Sequence, residues 1–296
     1  MFDFVIVTGE AKVGISPKDQ MGASELVKNG LAHFTAKNDL EVREQIEKIF
    51  RYMPSNNCKE QDLSKVSFGA ENVDITKYIP EEMDKQSDMA QIIKTIADEG
   101  TCLEYLKEYC GSMTCAFAKL NGITAGIIAN NSSYTENGIV KASRFINLCD
   151  NYDIPLVTLV DNPGYAKSAY QAGMAANLSK LVSSYAMATS VKITVLIKKA
   201  VGAGYTCMCP KELGADVCVA LPCAVISLDT LSKENANLDE SKYFENFCSP
   251  YQAAKLGLID DVIMPEKLKD IITKSIKAMY SKREEKLLKK HINTPL

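Results

Sequence analysis

Apolar residues recur at helical spacing after Asp39, where Leu-Glu-Val-Arg-Glu-Gln-Ile-Glu-Lys-Ile-Phe-Arg-Tyr-Met predicts an amphipathic helix with Asp39 as N-cap and Pro54 as its stop. Upstream, residues 1–38 are short segments broken by Gly9, Gly14, Pro17, Gly22 and Gly30, with little helical period. A second amphipathic pattern covers residues 88–98 and stops at Gly100, and the polar stretch 57–87 between the two helices reads as a connector. The texture then changes. Met113–Ala118 and Ile123–Ala129 are β-like runs on either side of Asn121-Gly122, a hairpin turn signal. A helix follows over 139–151, then the continuous apolar run Pro155–Val160, which suits a strand buried on both faces. A helix over 172–189, a buried strand at Ile193–Ile197 and short strands at Val217–Ala220 and Ala224–Leu228 complete the alternation, and a last amphipathic helix is expected over 265–290. Strands alternating with helices of this length predict β-α-β units and an α/β core with a largely parallel sheet.

Composition narrows the function. The 296 residues suit one large domain or two modest ones, and a net charge of -3 gives no electrostatic reason to expect nucleic acid. No apolar run approaches a membrane span, and the start Met-Phe-Asp-Phe lacks a basic leader, so a cytoplasmic protein is expected. The ten Cys lie scattered through core-forming sequence and read as reduced, mostly buried thiols. Cys207 and Cys209 have no second pair or nearby His to complete a metal set. The two His, His33 and His291, both lack a nucleophile-elbow context. An enzyme of this composition is expected to work through backbone groups, carboxylates or a borrowed cofactor. The lysine-rich C-terminal stretch reads as a solvated helix face.

Two glycine-bearing turns follow the two most apolar strands: Leu159-Val-Asp-Asn-Pro-Gly-Tyr165 and Lys198-Lys-Ala-Val-Gly-Ala-Gly-Tyr205. Loops beyond the carboxyl ends of parallel strands line the binding crevice of open α/β sheets, and a helix starting at Gly202–Tyr205 would aim free N–H groups there. The alternative is that the glycines serve only tight turns and close packing. Asp161 is either a catalytic carboxylate or a loop acid that holds N–H groups. Gly202-Ala-Gly204 lacks the third glycine of a dinucleotide fingerprint, and no Walker-type GxxxxGK[ST] is present.

Several runs together resemble the acyl-CoA carboxyltransferase family. They are Ser55-Asn-Asn57, Asn121-Gly-Ile-Thr-Ala-Gly-Ile-Ile-Ala-Asn130, Lys141-Ala-Ser-Arg-Phe-Ile146, Ile154-Pro-Leu-Val-Thr-Leu-Val-Asp-Asn-Pro-Gly164, Lys211-Glu-Leu-Gly-Ala-Asp216, Pro250-Tyr-Gln-Ala-Ala254 and the closing Lys289-Lys-His-Ile-Asn-Thr-Pro-Leu296. Their order follows the β subunits of biotin-dependent propionyl-CoA and methylmalonyl-CoA enzymes and related decarboxylases. The resemblance implies a crotonase-type domain, a ββα-superhelix with a largely parallel twisted sheet and surrounding helices. It divides the chain into a remnant of an N-terminal carboxyltransferase domain (1–57), a connector (58–87) and a full C-terminal domain (88–296).

The resemblance implies carboxyl transfer between biotin on a separate carrier protein and an acyl-CoA, with no metal. Negative charge then develops on the ureido oxygen and on the thioester enolate, and backbone N–H groups stabilise it. The family's Gly-Gly-Ala-Tyr motif maps onto Gly202-Ala203-Gly204-Tyr205, placing the N–H groups of Ala203 and Gly204 at the ureido oxygen. Gly164 and Pro163 shape the opposing loop, and Tyr205 and Thr206 contact biotin or substrate. The implied partners are a biotin carboxyl carrier protein, a biotin carboxylase or decarboxylase subunit, and a separate N-terminal-half chain, in an oligomer. Two departures from the family pattern support a second reading, a non-catalytic structural or regulatory paralogue. The stretch Asn130–Lys141 is shorter, with Gly138 the nearest counterpart of the family's loop glycine, and Asp229-Thr-Leu-Ser-Lys-Glu follows Leu228. A third reading is a free-standing crotonase-type hydratase or isomerase.

Overall fold

The computed structural model describes residues 3–9, 11–14, 16, 20–56, 61, 73–164, 172–228 and 243–284. An N-terminal unit contains β1 (Ile6–Thr8), the short ribbon β2 (Lys12–Val13) and β3 (Met21–Gly22), α1 (Ala23–Lys28), β4 (Phe34–Ala36) and α2 (Asp39–Phe50). β1 and β4 pair in parallel, and Val7, Ala23, Leu26, Val27 and Ala32 form a small apolar cluster of their own. The helix expected after Asp39 is present, but its N-cap is Asn38. Asn38 is extended and accepts the Glu41 N–H at 3.0 Å, while Asp39 becomes the first helical residue, where a carboxylate suits the positive end.

The rest of the chain builds one large sheet. After α3 (Met89–Ile96), capped by Asp88, come β5 (Cys102–Tyr105), β6 (Met113–Leu120), β7 (Ile123–Asn130), α4 (Glu136–Asn151), β8 (Leu156–Asn162), α5 (Ala172–Met187) and β9 (Lys192–Val201). A one-turn helix α6 (Ala203–Thr206) follows, then β10 (Val217–Ala220), β11 (Val225–Ser227), α7 (Pro250–Lys255), β12 (Asp261–Val262) and α8 (Leu268–Met279). The strand order is β12-β10-β9-β8-β7-β6-β5, with β11 also paired to β9. β5, β6 and β7 are antiparallel neighbours, and every other pairing in this sheet is parallel. The Asn121-Gly122 turn joins β6 to β7 with positive φ at both residues, 50° and 85°, as a two-residue hairpin requires.

Both faces of the sheet are covered, which is why its strands read as unbroken apolar runs. Ile193, Val195 and Ile197 of β9 join Ile127 and Val157 under α3 and α8, whereas Leu156, Val160 and Leu196 meet Phe145 and Tyr185 of α4 and α5. Helix α4 lies so close to β7 that a Cβ on Gly126 would sit 2.4 Å from Cys149 Sγ.

Several boundaries differ from expectation. β9 runs from Lys192 to Val201, longer than the apolar core, because Lys192 turns its ammonium back to the Ala188 and Tyr185 carbonyls at 2.9 and 3.2 Å and ends α5. The terminal helix covers Leu268–Met279, preceded by a 3₁₀ turn at Pro265–Lys267, and residues 285–290 of the expected helix lie outside the described residues. β5 and the β1–β4 pair are too short to leave a periodic signal.

The N-terminal unit docks on the β5–β6 end. The Phe4 ring lies 6.3 Å from Phe117, Tyr52 lies 6.2 Å from Phe117, and Arg144 donates to the Gly30 carbonyl at 2.9 Å. Buried His33 accepts the Val5 N–H at Nδ1 (3.0 Å) and meets the Tyr105 hydroxyl at Nε2 (3.1 Å). Burial, reinforced by Arg144, holds its pKa down at about 4, so the ring is neutral near pH 7.

Candidate active site

Parallel β7, β8 and β9 end side by side at Asn130, Asn162 and Val201, so the loops that leave them converge. Side chains tie these ends together. The Asn130 amide accepts the Asp161 N–H at 2.9 Å and donates to the Asp161 carbonyl. Asp161 is 1% exposed, and its carboxylate accepts the N–H groups of Ser87 (2.8 Å) and Lys199 (3.1 Å). Buried Lys198 donates to the carbonyls of Glu82 and Lys85 at 2.6 and 2.8 Å. The end of the expected connector is therefore fastened across the ends of β8 and β9, and Asp161 holds N–H groups as the second reading of that residue expected, though they are distant ones.

At the end of β9 the chain reverses through Gly202 with φ 54° and ψ −124°, a conformation open to glycine. The Gly202 N–H donates to Ser227 O of β11 at 2.8 Å, and its carbonyl accepts both Tyr205 N–H and Thr206 N–H at 3.0 Å. Of the five N–H groups between residues 202 and 206, those of Ala203 and Gly204 have no partner among the described residues. They are the opening donors of α6, where helix geometry supplies no acceptor. Gly204 is glycine for a packing reason: a Cβ there would stand 2.2 Å from the Asn162 carbonyl oxygen.

Gly164 faces this turn from β8 with φ 91°, donating its N–H to Asn162 Oδ1 at 2.9 Å, and a Cβ on it would lie 3.2 Å from Val201 O. Pro163 beside it is half-buried. Thr206 is exposed, its hydroxyl 3.3 Å from Gly202 O. Tyr205 turns inward. It is 2% exposed and its hydroxyl donates to Glu212 Oε2 at 3.0 Å, which with burial pushes its pKa far up, so the ring anchors the turn instead of lining the crevice.

Gly202, Ala203, Gly204, Thr206, Pro163 and Gly164 thus come together at one end of the sheet. Sequence reasoning missed Tyr134, a buried residue in the β7–α4 loop whose hydroxyl donates to Ala203 O at 2.9 Å. It missed Asn130 and Asn162 as well. Gly138 belongs to the first turn of α4, where a Cβ would stand 2.3 Å from Ser112 Oγ. Its role is close packing. Residues 229–234, the other departure from the family pattern, lie outside the described residues.

The sequence profile described as "Carboxyl transferase domain" matches residues 6–228. The chain belongs to the carboxyl transferase family. It is 32% identical over 309 residues to the methylmalonyl-CoA decarboxylase subunit alpha of Veillonella parvula, covering 98% of this chain and 60% of that one. It is 31% identical to the methylmalonyl-CoA carboxyltransferase 12S subunit of Propionibacterium freudenreichii subsp. shermanii, covering 99% and 64%. A crystal structure of transcarboxylase 12S with methylmalonyl-coenzyme A and methylmalonic acid bound superimposes with a TM-score of 0.91 at 30% identity, over 99% of this chain and 64% of that one. The carboxyl transferase fold seen here is of the crotonase type, with a largely parallel central sheet. The chain spans less than two thirds of the length of these relatives.

Proposed function

We propose that this chain supplies the carboxyltransferase half-site that moves a carboxyl group between biotin on a carrier protein and an acyl-CoA. The unpaired N–H groups of Ala203 and Gly204, held at the carboxyl ends of adjacent strands in a carboxyl transferase fold, carry the reading. Biotin, when presented by its carrier, supplies the activated carboxyl group. The two N–H groups would donate to an oxygen that gains charge during transfer, at no cost of reorganisation because the turn is already built. Gly202 sets the turn, Pro163 and Gly164 form the facing wall, exposed Thr206 is placed to touch substrate, and Tyr205 anchors the turn from behind. Tyr134 fixes the Ala203 peptide. Among the described residues no imidazole takes part, since His33 is committed to the Val5 N–H and to the Tyr105 hydroxyl of β5.

On this reading residues 1–57 are the end of an N-terminal carboxyltransferase domain, 58–87 a connector and 88–296 a C-terminal domain. The chain works with a carrier protein, a biotin carboxylase or decarboxylase subunit and an N-terminal-half chain, in a cytoplasmic oligomer. The relatives support an acyl-CoA of the propionyl or methylmalonyl class. No helix among the described residues is long and apolar enough to cross a membrane.

The test is carboxyl transfer by the reconstituted complex with carboxylated carrier and methylmalonyl-CoA or propionyl-CoA. Ala203→Pro deletes one donor at the first helical position, where proline is tolerated, and should lower kcat about 10²–10³-fold while the complex stays assembled. An assembled complex with an unchanged rate would overturn the assigned site. No transfer by the assembled unmodified complex would favour the non-catalytic reading.

A further inference from the structure

We infer that the cleft between the N-terminal unit and the open edge of the large sheet is a second ligand site, one that takes a small phosphorylated anion. The cleft has a volume of about 570 Å³, within the range of small-molecule sites, and lies among α2, β5, the turn after β5 and the end of β6. Five cations line it: Lys48 of α2 and Arg51 at its C-cap, Lys94 from α3, Lys107 after β5 and Lys119 of β6. Two carboxylates, Glu104 and Glu108, share the space, which leaves an excess of three positive charges in a chain whose net charge is -3.

None of the five cations makes an ion pair among the described residues, whereas Lys85, Lys211, Lys269, Lys274 and Lys282 all do. Five cations against two carboxylates leave a net repulsion, and a ligand carrying two or more negative charges relieves it. Arg51 offers a guanidinium fork suited to phosphate oxygens, and the lysines line the cleft on flexible stems. Gln45 and Thr101 add polar contacts, over a floor that includes buried Tyr52. A concave site of this size fits a phosphorylated metabolite and not a protein surface.

The cleft is separate from the glycine turns. Lys119 is paired with Thr124 at the start of β7, so the cleft lies towards the end of the sheet opposite Asn130, Asn162 and Val201. No residue that lines it belongs to the crevice, and its fate does not depend on carboxyl transfer.

Exposed Cys102 lies on the cleft wall and exposed Cys223 lies elsewhere, so alkylation of the two, followed by peptide mass spectrometry, locates a ligand. The full chain is titrated separately with inorganic pyrophosphate, ATP and CoA at low and at physiological salt. Pyrophosphate at ten times its Kd should slow Cys102 alkylation about tenfold and leave Cys223 unchanged. The double variant K48E/R51E should weaken binding about tenfold or more, while K12E/K255E, which makes the same charge change outside the cleft, should shift it less than about twofold. Lys107→Glu on the turn gives the same reading without touching α2. Equal affinity for the three ligands means that phosphate alone is read. Tighter ATP or CoA binding that is lost in K48E/R51E means that the rest of the nucleotide adds to the same phosphate site. No saturable protection of Cys102 by any of the three at low salt, or equal loss in K12E/K255E, overturns the inference.

Discussion

Gly204→Ala tests whether the turn at residues 202–206 is held by close packing. The new Cβ would stand 2.2 Å from the Asn162 carbonyl oxygen, 2.9 Å from its carbonyl carbon and 3.1 Å from its Cβ. The obstacle is main chain inside the β8–β9 pairing and cannot swing aside. Reaching even a 3.0 Å contact requires α6 and β8 to separate by about 0.8 Å. Overpacking of this kind costs about 1–3 kcal/mol, and in a chain of this size each kcal/mol lowers Tm by about 2–4 °C. A fall of about 2–12 °C is therefore expected in thermal unfolding followed by circular dichroism. Gly111→Ala is the matched control, because a Cβ there meets nothing within 4 Å and its φ is ordinary, and it should leave Tm nearly unchanged. The displacement also carries the Ala203 and Gly204 N–H groups out of register, and misplacement of about 1 Å costs about 10²-fold in rate. Were Gly204→Ala to unfold at the same temperature as Gly111→Ala, the packing argument would fail.

Tyr134→Phe keeps the ring and removes the bond to Ala203 O; it should cost about 1 kcal/mol in urea unfolding and lower carboxyl transfer with little change in acyl-CoA KM. Asp161→Ala strips the acceptor from the Ser87 and Lys199 N–H groups and should destabilise by about 2–4 kcal/mol, with new proteolytic sensitivity between residues 82 and 88. His33 makes stability pH-dependent. Its folded pKa of about 4 lies below the unfolded value near 6.5, so the unfolded chain gains a proton first as pH falls. Its contribution is complete above pH 6.5 and is lost between 6.5 and about 4, by about 2 kcal/mol after allowance for solvent screening. The same slope in His33→Gln would refute this assignment.

The sheet was legible where burial on both faces made continuous apolar runs, as at Pro155–Val160, and where turn chemistry was local, as at Asn121-Gly122. The glycine turns were legible for the same reason, since positive φ at Gly164 and Gly202 leaves a mark in the residue type. What holds the site together was not legible. Tyr134 reaches Ala203 across 69 positions, Ser87 reaches Asp161 across 74 and Asn130 reaches Asp161 across 31. Such pairings are set by which strands become neighbours, and no local period encodes them. Gly204 illustrates the difference. Its identity invited a ligand-approach reading, yet it is fixed by the Asn162 carbonyl at the end of the adjacent strand. Tyr205 likewise has its role decided by Glu212, seven residues on, beyond the turn that drew attention to it.

On the proposed function, the bonding of the turn explains why a site poor in histidine need not be poor in catalytic power. The Gly202 N–H is taken by β11, the Gly202 carbonyl by two donors of α6, the Ala203 carbonyl by Tyr134 and by the Cys207 N–H, and the Tyr205 hydroxyl by Glu212. Gly204 is pressed against β8. The peptides that carry the Ala203 and Gly204 N–H groups are thus fixed on both sides, and neither N–H has a partner among the described residues. On the proposed function, two donors held in this way are left for an incoming oxygen, and their ordering was completed when the sheet folded. The specificity of such a site cannot come from the donors, which are main chain and chemically generic. It has to come from the walls that the three converging loops provide, and exposed Thr206 is the position in the turn where a side chain is free to contribute.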